Sequence, residues 1–330
     1  MLKLFYCMSL NFSQFYSYPI LILSILVAIS RSSKITVWLI LEINILIFIS
    51  ILSGAVEEFF FSQVIKYFII QSIGSAFMVL IIISLFSSYL FISLEILFFF
   101  TIILKLGIPP FHPWYINIFF RLDWTNLFTL STVQKIIPLY LLTFSINSHF
   151  IVIIICLTCI ICSAAAVFTY TTKLILGYSS LFNICWIVRA IQEFIIRIFF
   201  LLIYRVNLLI VIAYLHFLNL SSVNFIKIRN PREFHNYFLL GSALRLGGIP
   251  PFIGFYSKIL IIVFLINTQQ LTILFIILLS SIFILYIYIR IITFLIIQLN
   301  FVFIIPAKFY TYYLELRLLL ISFFPLIFIL

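Results

Sequence analysis

Long apolar runs alternate with short polar clusters along almost the whole chain, and that pattern predicts membrane-crossing helices. A span needs about 20 apolar residues at about 1.5 Å of rise per residue. On that count the runs give eleven helices, at roughly 12–30, 36–55, 62–87, 89–120, 125–146, 149–169, 173–191, 194–220, 234–266, 270–297 and 311–329. The connections are short, and the two polar ones are Glu57-Glu58 and Asn224 to Glu233. With no linker long enough to part domains, the expectation is one polytopic, all-α transmembrane bundle over residues 1–330. The first 30 residues read as a retained span, because the apolar run continues without a small-residue cleavage site.

Two of these runs contain a backbone break. Lys105-Leu106-Gly107-Ile108-Pro109-Pro110-Phe111-His112-Pro113-Trp114 places a charge and two prolines inside a hydrophobic stretch. Proline has no N–H to donate and clashes with the carbonyl four residues back. Pro109 and Pro110 therefore free the carbonyls of Lys105 and Leu106, which hydrocarbon tolerates only where protein or a water-filled cavity satisfies them. Gly107-Ile108-Pro109-Pro110-Phe111 returns as Gly248-Ile249-Pro250-Pro251-Phe252, 141 residues later. The broken helices are the fourth and the ninth, and five crossings between equivalents reverse direction. The pattern thus predicts an inverted-topology repeat, with halves roughly 36–146 and 149–297, and such repeats point to a transport path.

Composition removes the soluble classes. Hydrophobic residues make up 66%, charged residues 8%, and mean hydropathy is +1.36, whereas soluble domains carry about 25% charged residues. The net charge of +11 raises nucleic acid as a partner, but no basic cluster exceeds Lys227, Arg229 and Arg232, so none is expected. The cations read instead as loop anchors, at the headgroups of membrane lipids, plus a few intramembrane groups. Lys3, Arg121, Lys173, Lys227, Arg229, Arg232 and Lys308 fall on the side of the N-terminus, against Arg31, Lys34, Arg189 and Arg197 on the other. That bias puts the N-terminus inside, in cytoplasm or matrix. Cys156, Cys159 and Cys162 give C-x2-C-x2-C, but no fourth cysteine or proline follows, so they read as small core residues and no metal is expected.

The charges stranded in apolar runs are the candidate chemistry. A lysine at the bilayer centre costs about 2.5–3.5 kcal/mol on insertion scales. Glu42, Lys105, Lys135 and Lys258 lie in four separate runs and form a plausible proton relay, since a desolvated lysine can release and regain its proton. The alternatives are a structural ion pair for Glu42 with a lysine such as Lys105, and snorkelling for Lys258, eight residues past Pro250. Arg245 is one position out of register with Lys105 and reads equally as a path residue or an end anchor. His112 beside the break, and His216 in the eighth run, are secondary candidates against structural imidazoles. Glu57, Glu58, Glu95, His149 and His235 read as interfacial.

The two proline motifs, the second extended through Ile253-Gly254-Phe255 to Lys258, resemble those of the antiporter-like subunits of respiratory complex I. Supporting patches follow in family order over roughly residues 36–300: Trp38 with Leu41-Glu42-Ile43-Asn44, Lys66-Tyr67-Phe68 with Gln71, Gln134-Lys135, and Lys173-Leu174-Ile175-Leu176-Gly177-Tyr178-Ser179-Ser180 with Trp186. Family members typically have fourteen helices, and the eleven counted here look like a shortened animal mitochondrial form lacking the first three. The resemblance implies that Glu42 modulates Lys105, that Lys135 is the central relay and that Lys258 faces the exit half. It also implies a translocase subunit of NADH:ubiquinone oxidoreductase in the mitochondrial inner membrane. NADH, FMN, iron–sulfur clusters and ubiquinone would sit on other subunits, and subunits 4L and 4 would be neighbours. Pro109 in place of a usual small residue, Pro113 of an aromatic, Ile259 of a tryptophan, and Arg245 depart from the pattern. The rival readings are a cation/proton antiporter subunit and a purely structural subunit.

Overall fold

A computed structural model describes residues 12–53, 58–87, 91–144, 148–191, 193–218, 241–250 and 252–300. The expected helix at 311–329 and the start of the one at 234–266 lie outside them. The described residues are almost wholly helical, and six stretches are long and apolar enough to cross a membrane: Lys34–Ser53, Phe61–Ser84, Trp124–Phe144, Phe150–Phe168, Phe194–Ala213 and Leu271–Ile291. The chain divides into two compact units, residues 1–158 and 159–330.

In the first unit, α1 (Phe12–Ile29), α2 (Lys34–Ser53), α3 (Glu58–Ser87) and α4 (Phe91–Leu106) pack consecutively. Asn44 of α2 is buried and donates to Ser24 Oγ of α1 at 3.2 Å, a polar tie where no water competes. The expected break in the run at 89–120 is present: α4 ends at Leu106 and α5 (His112–Arg121) resumes after five residues. The stop begins earlier than the prolines. Gly107 takes φ +67°, the Gly107 N–H bonds to the Leu104 carbonyl, and the Ile108 N–H bonds to the Ile103 carbonyl. That is a Schellman end, which favours glycine because a left-handed φ carries no Cβ penalty there. The prolines then forbid resumption.

The run at 125–146 was expected to be one unbroken helix and is not. It divides into α6 (Trp124–Thr132), a turn at Val133–Lys135, α7 (Ile136–Leu141) and a 3₁₀ turn at Leu142–Phe144. Pro138 is the cause: it cannot donate to the Gln134 carbonyl. The strand of hydrogen bonds slips upstream of it, with Val133 and Gln134 N–H both on the Thr129 carbonyl. α7 packs against α1, α2 and α4, and α5 against α3, which brings the two interrupted stretches of this unit together.

In the second unit, α8 (Ser148–Phe168) contributes its C-terminal half, followed by α9 (Thr172–Arg189), α10 (Phe194–Leu218), a helix α11 at 241–247, α12 (Ile253–Asn267) and α13 (Leu271–Asn300). α9 packs on α10, α12 and α13, and α10 on α12. Cys159 and Cys162 are fully buried on α8. Arg290 of α13 caps the C-terminus of α8, its two terminal nitrogens donating to the carbonyls of Val167 (2.7 Å) and Thr169 (2.5 Å). The planar guanidinium fits two carbonyls at once and also opposes the negative end of the helix dipole.

Candidate functional site

The C-terminal turn of α4 presents Lys105 inward. Its side chain has no exposed surface, and its ammonium lies 3.8 Å from Glu42 Oε1, midway along α2. The Glu42 side chain is 32% exposed on the isolated chain, so the pair joins a buried cation to a carboxylate at the chain's edge. At 3.8 Å this is charge attraction without a hydrogen bond, and neither atom has another partner. Neighbouring side chains donate to two carbonyls at the break: that of Lys105, which Pro109 leaves open, and that of Leu104, which also accepts from the Gly107 N–H. Gln71 Nε2 of α3 donates to the Lys105 carbonyl at 3.2 Å, and Trp114 Nε1 of α5 to the Leu104 carbonyl at 3.1 Å.

Lys135 falls in the turn between α6 and α7 and is 5% exposed, with its ammonium 4.5 Å from the centre of the Tyr115 ring. An ammonium over an aromatic face is attracted by the ring quadrupole. Lys105 and Lys135 line one cavity, together with Tyr67, Gln71, Trp114, Tyr115, Gln134 and Pro138. It offers about 20 Å³ to water centres, room for at least one water molecule with polar partners on several sides. Tyr67 donates to Gln134 Oε1 at 3.4 Å, and Gln134 Nε2 has no protein partner. The break therefore gives two lysines a shared polar chamber, and one of them has a carboxylate partner in Glu42. Tyr67 and Gln71 stand out in the sequence only within the patch that resembles the family, Gln134 as the neighbour of Lys135, and Trp114 as the end of the first proline motif. Their common signal is polar or amphipathic residues at helical spacing beside a break.

The second break repeats the backbone device. Gly248 has φ +73° and its N–H bonds to the Arg245 carbonyl, while the Ile249 N–H bonds to the Leu244 carbonyl. Pro250 and Pro251 follow as at Pro109 and Pro110. Here the lysine itself serves the released carbonyl: Lys258 Nζ donates to Gly247 O at 2.7 Å. Lys258 is 9% exposed and does not snorkel outward. Arg245 is 3% exposed on α11, and its Nε has no partner. His216 is half-buried on α10, and His112 is half-buried at the start of α5 with Nδ1 unpartnered. Neither histidine lines the cavity of the first unit.

The family model described as NADH:quinone oxidoreductase/Mrp antiporter, TM matches residues 31–284. The chain is 32% identical to NADH-ubiquinone oxidoreductase chain 2 of Anopheles gambiae over 281 residues, covering 82% of each chain. It is 34% identical to the chain of the same name from Rhipicephalus sanguineus over 283 residues, covering 83% of this chain and 87% of that one. Among solved structures it superposes on a chain of respiratory complex I from Thermus thermophilus with TM-score 0.68 at 16% identity, over 82% of this chain and 66% of that one. A chain of the Mrp complex from a Dietzia species gives TM-score 0.71 at 17% identity, over 84% and 60%. The chain thus shares its fold with antiporter-like membrane subunits but spans less than two thirds of the Mrp chain's length. Apolar spans, glycine-stopped broken helices and these matches converge: the chain belongs to the NADH:quinone oxidoreductase/Mrp antiporter membrane family, within its NADH-ubiquinone oxidoreductase chain 2 branch.

Proposed function

We propose that this chain is a membrane-arm subunit of respiratory complex I and carries protons through the mitochondrial inner membrane. NADH oxidation and ubiquinone reduction proceed on other subunits, which hold the FMN and iron–sulfur clusters and drive the transfer. The carrying observation is the polar chamber in which buried Lys105 and Lys135 meet, with Glu42 at 3.8 Å from Lys105. In this reading Glu42 sets the charge state of Lys105, and a proton passes through the chamber to Lys135. Lys258 serves the second half, where its ammonium rests on the broken helix end. Arg245 cannot give up its proton in a protein, so it acts there as a fixed charge and not as a carrier. The N-terminus faces the matrix, subunits 4L and 4 are the membrane neighbours, and the two half-repeats form one inverted pair in a single domain. Moving a charge through 100 mV costs about 2.3 kcal/mol, which the chain must obtain from its partners.

The test is proton pumping per NADH in assembled complex carrying Lys135→Ala or Glu42→Gln. Both variants should lower pumping and turnover, Lys135→Ala by at least tenfold. Full pumping and turnover in both would remove these residues from the path. The cation/proton antiporter reading is separated by its own assay: sodium or potassium exchange without NADH would favour it.

A further inference from the structure

We propose that Gln71 is a positioning residue for this proton path, setting where Lys105 sits by replacing the hydrogen bond that Pro109 cannot make. The proposal rests on the relay reading above. In an unbroken helix the Lys105 carbonyl would accept from residue 109, which is proline and has no N–H. Gln71 Nε2 takes that place at 3.2 Å. A carbonyl only accepts, so the amide nitrogen must face it, and this fixes the amide oxygen on the other branch. Gln71 is 5% exposed and lines the chamber shared by Lys105 and Lys135. One turn further along α3, an added Cβ on Gly74 would come within 3.2 Å of Lys105 Cγ. Gln71 thus holds the backbone of Lys105, and Gly74 lets its stem pass.

The second break shows what a different donor would do. The Gly247 carbonyl would pair with residue 251, also proline, and there the substitute donor is Lys258 Nζ at 2.7 Å. A lysine spent on a carbonyl is held at the break. A neutral amide in that role at the first break leaves the Lys105 ammonium for Glu42 and the chamber. Without Gln71, the Lys105 carbonyl would lose the side-chain donor that stands in for the missing N–H of Pro109, and the backbone that carries the Lys105 side chain would lose its tie to α3.

The experiment is a double-mutant cycle in assembled complex reconstituted in vesicles, comparing Gln71→Leu, Lys105→Met and the pair. Gln71→Leu should lower pumping per assembled complex about tenfold, in line with an orphaned buried carbonyl. It should also displace the pH profile of turnover, which a merely loosened structure would only scale down. On the Lys105→Met background it should add less than twofold, because it acts through that lysine. If Gln71→Leu does not assemble, Gln71→Asn, which keeps the amide one methylene short, takes its place with the same expected profile shift. Losses that multiply, or an unmoved pH profile, overturn the proposal. A normal Gln71→Leu beside a defective Lys105→Met overturns this proposal alone, whereas a normal Lys105→Met overturns the relay reading with it.

Discussion

At the scale of single residues, three glycines decide whether the breaks can form, and they do so for different reasons. Gly107 and Gly248 hold positive φ, where an L side chain costs about 1–2 kcal/mol. At Gly248 an added Cβ would also meet Lys258 Nζ at 2.7 Å, the end of a flexible side chain. At Gly254 it would meet the Arg245 backbone carbonyl oxygen at 2.0 Å, which cannot step aside without moving a helix. Two separable defects are therefore expected. Gly254→Ala should cut the amount of assembled complex, by overpacking worth about 3 kcal/mol or more. Gly248→Ala should assemble but pump less, because it dislodges Lys258 from the Gly247 carbonyl. Blue-native gels and pumping assays on the two variants separate these outcomes, and the reverse ranking would contradict the packing described.

At the scale of elements, the interruption between α6 and α7 is the part least legible beforehand. The double-proline motifs announced themselves through glycine, proline and repetition, and the runs at 89–120 and 234–266 did break there. Pro138 stands alone, without glycine, in a run that composition reads as continuous, and membrane helices often absorb a lone proline. Here Pro138 does interrupt the helix, and the turn it leaves holds Lys135, three residues upstream, buried over the Tyr115 ring. The polar lining of the chamber was illegible for a related reason: Gln71 and Gln134 look like scattered polar residues until α3, α4, α6 and α7 are packed. Pro138→Ala supplies an N–H to the Gln134 carbonyl and should heal the helix across Val133–Lys135. Thermal stability should hold or rise while pumping falls at least fivefold. Unchanged pumping in a Pro138→Ala complex would mean the turn does not serve Lys135.

At the scale of the molecule, composition was enough for the membrane, and spacing was enough for the two breaks. A chain of 330 residues with a net charge of +11 and only 8 acidic residues cannot pair its cations internally. Three of those cations, Lys105, Lys135 and Lys258, are each at most 9% exposed. Their solutions differ: a carboxylate at 3.8 Å, an aromatic face at 4.5 Å, and a helix-end carbonyl at 2.7 Å. None of those partners could be assigned from spacing alone, because each comes from packing or from a chain fold-back. Only Glu42 was named in advance, and its alternative as a structural pair had the same geometry. Pumping in a Glu42→Gln complex separates the two, since a purely structural role would leave it intact.

The most direct measurement is a density map of the assembled complex at a resolution that shows ordered water. The expected result is water in the chamber within hydrogen-bond reach of both Lys105 and Lys135, with Gln71 on the Lys105 carbonyl and Glu42 beside the ammonium. A dry chamber filled by side chains or lipid, or either lysine turned out to the headgroups, would contradict a proton path through these residues.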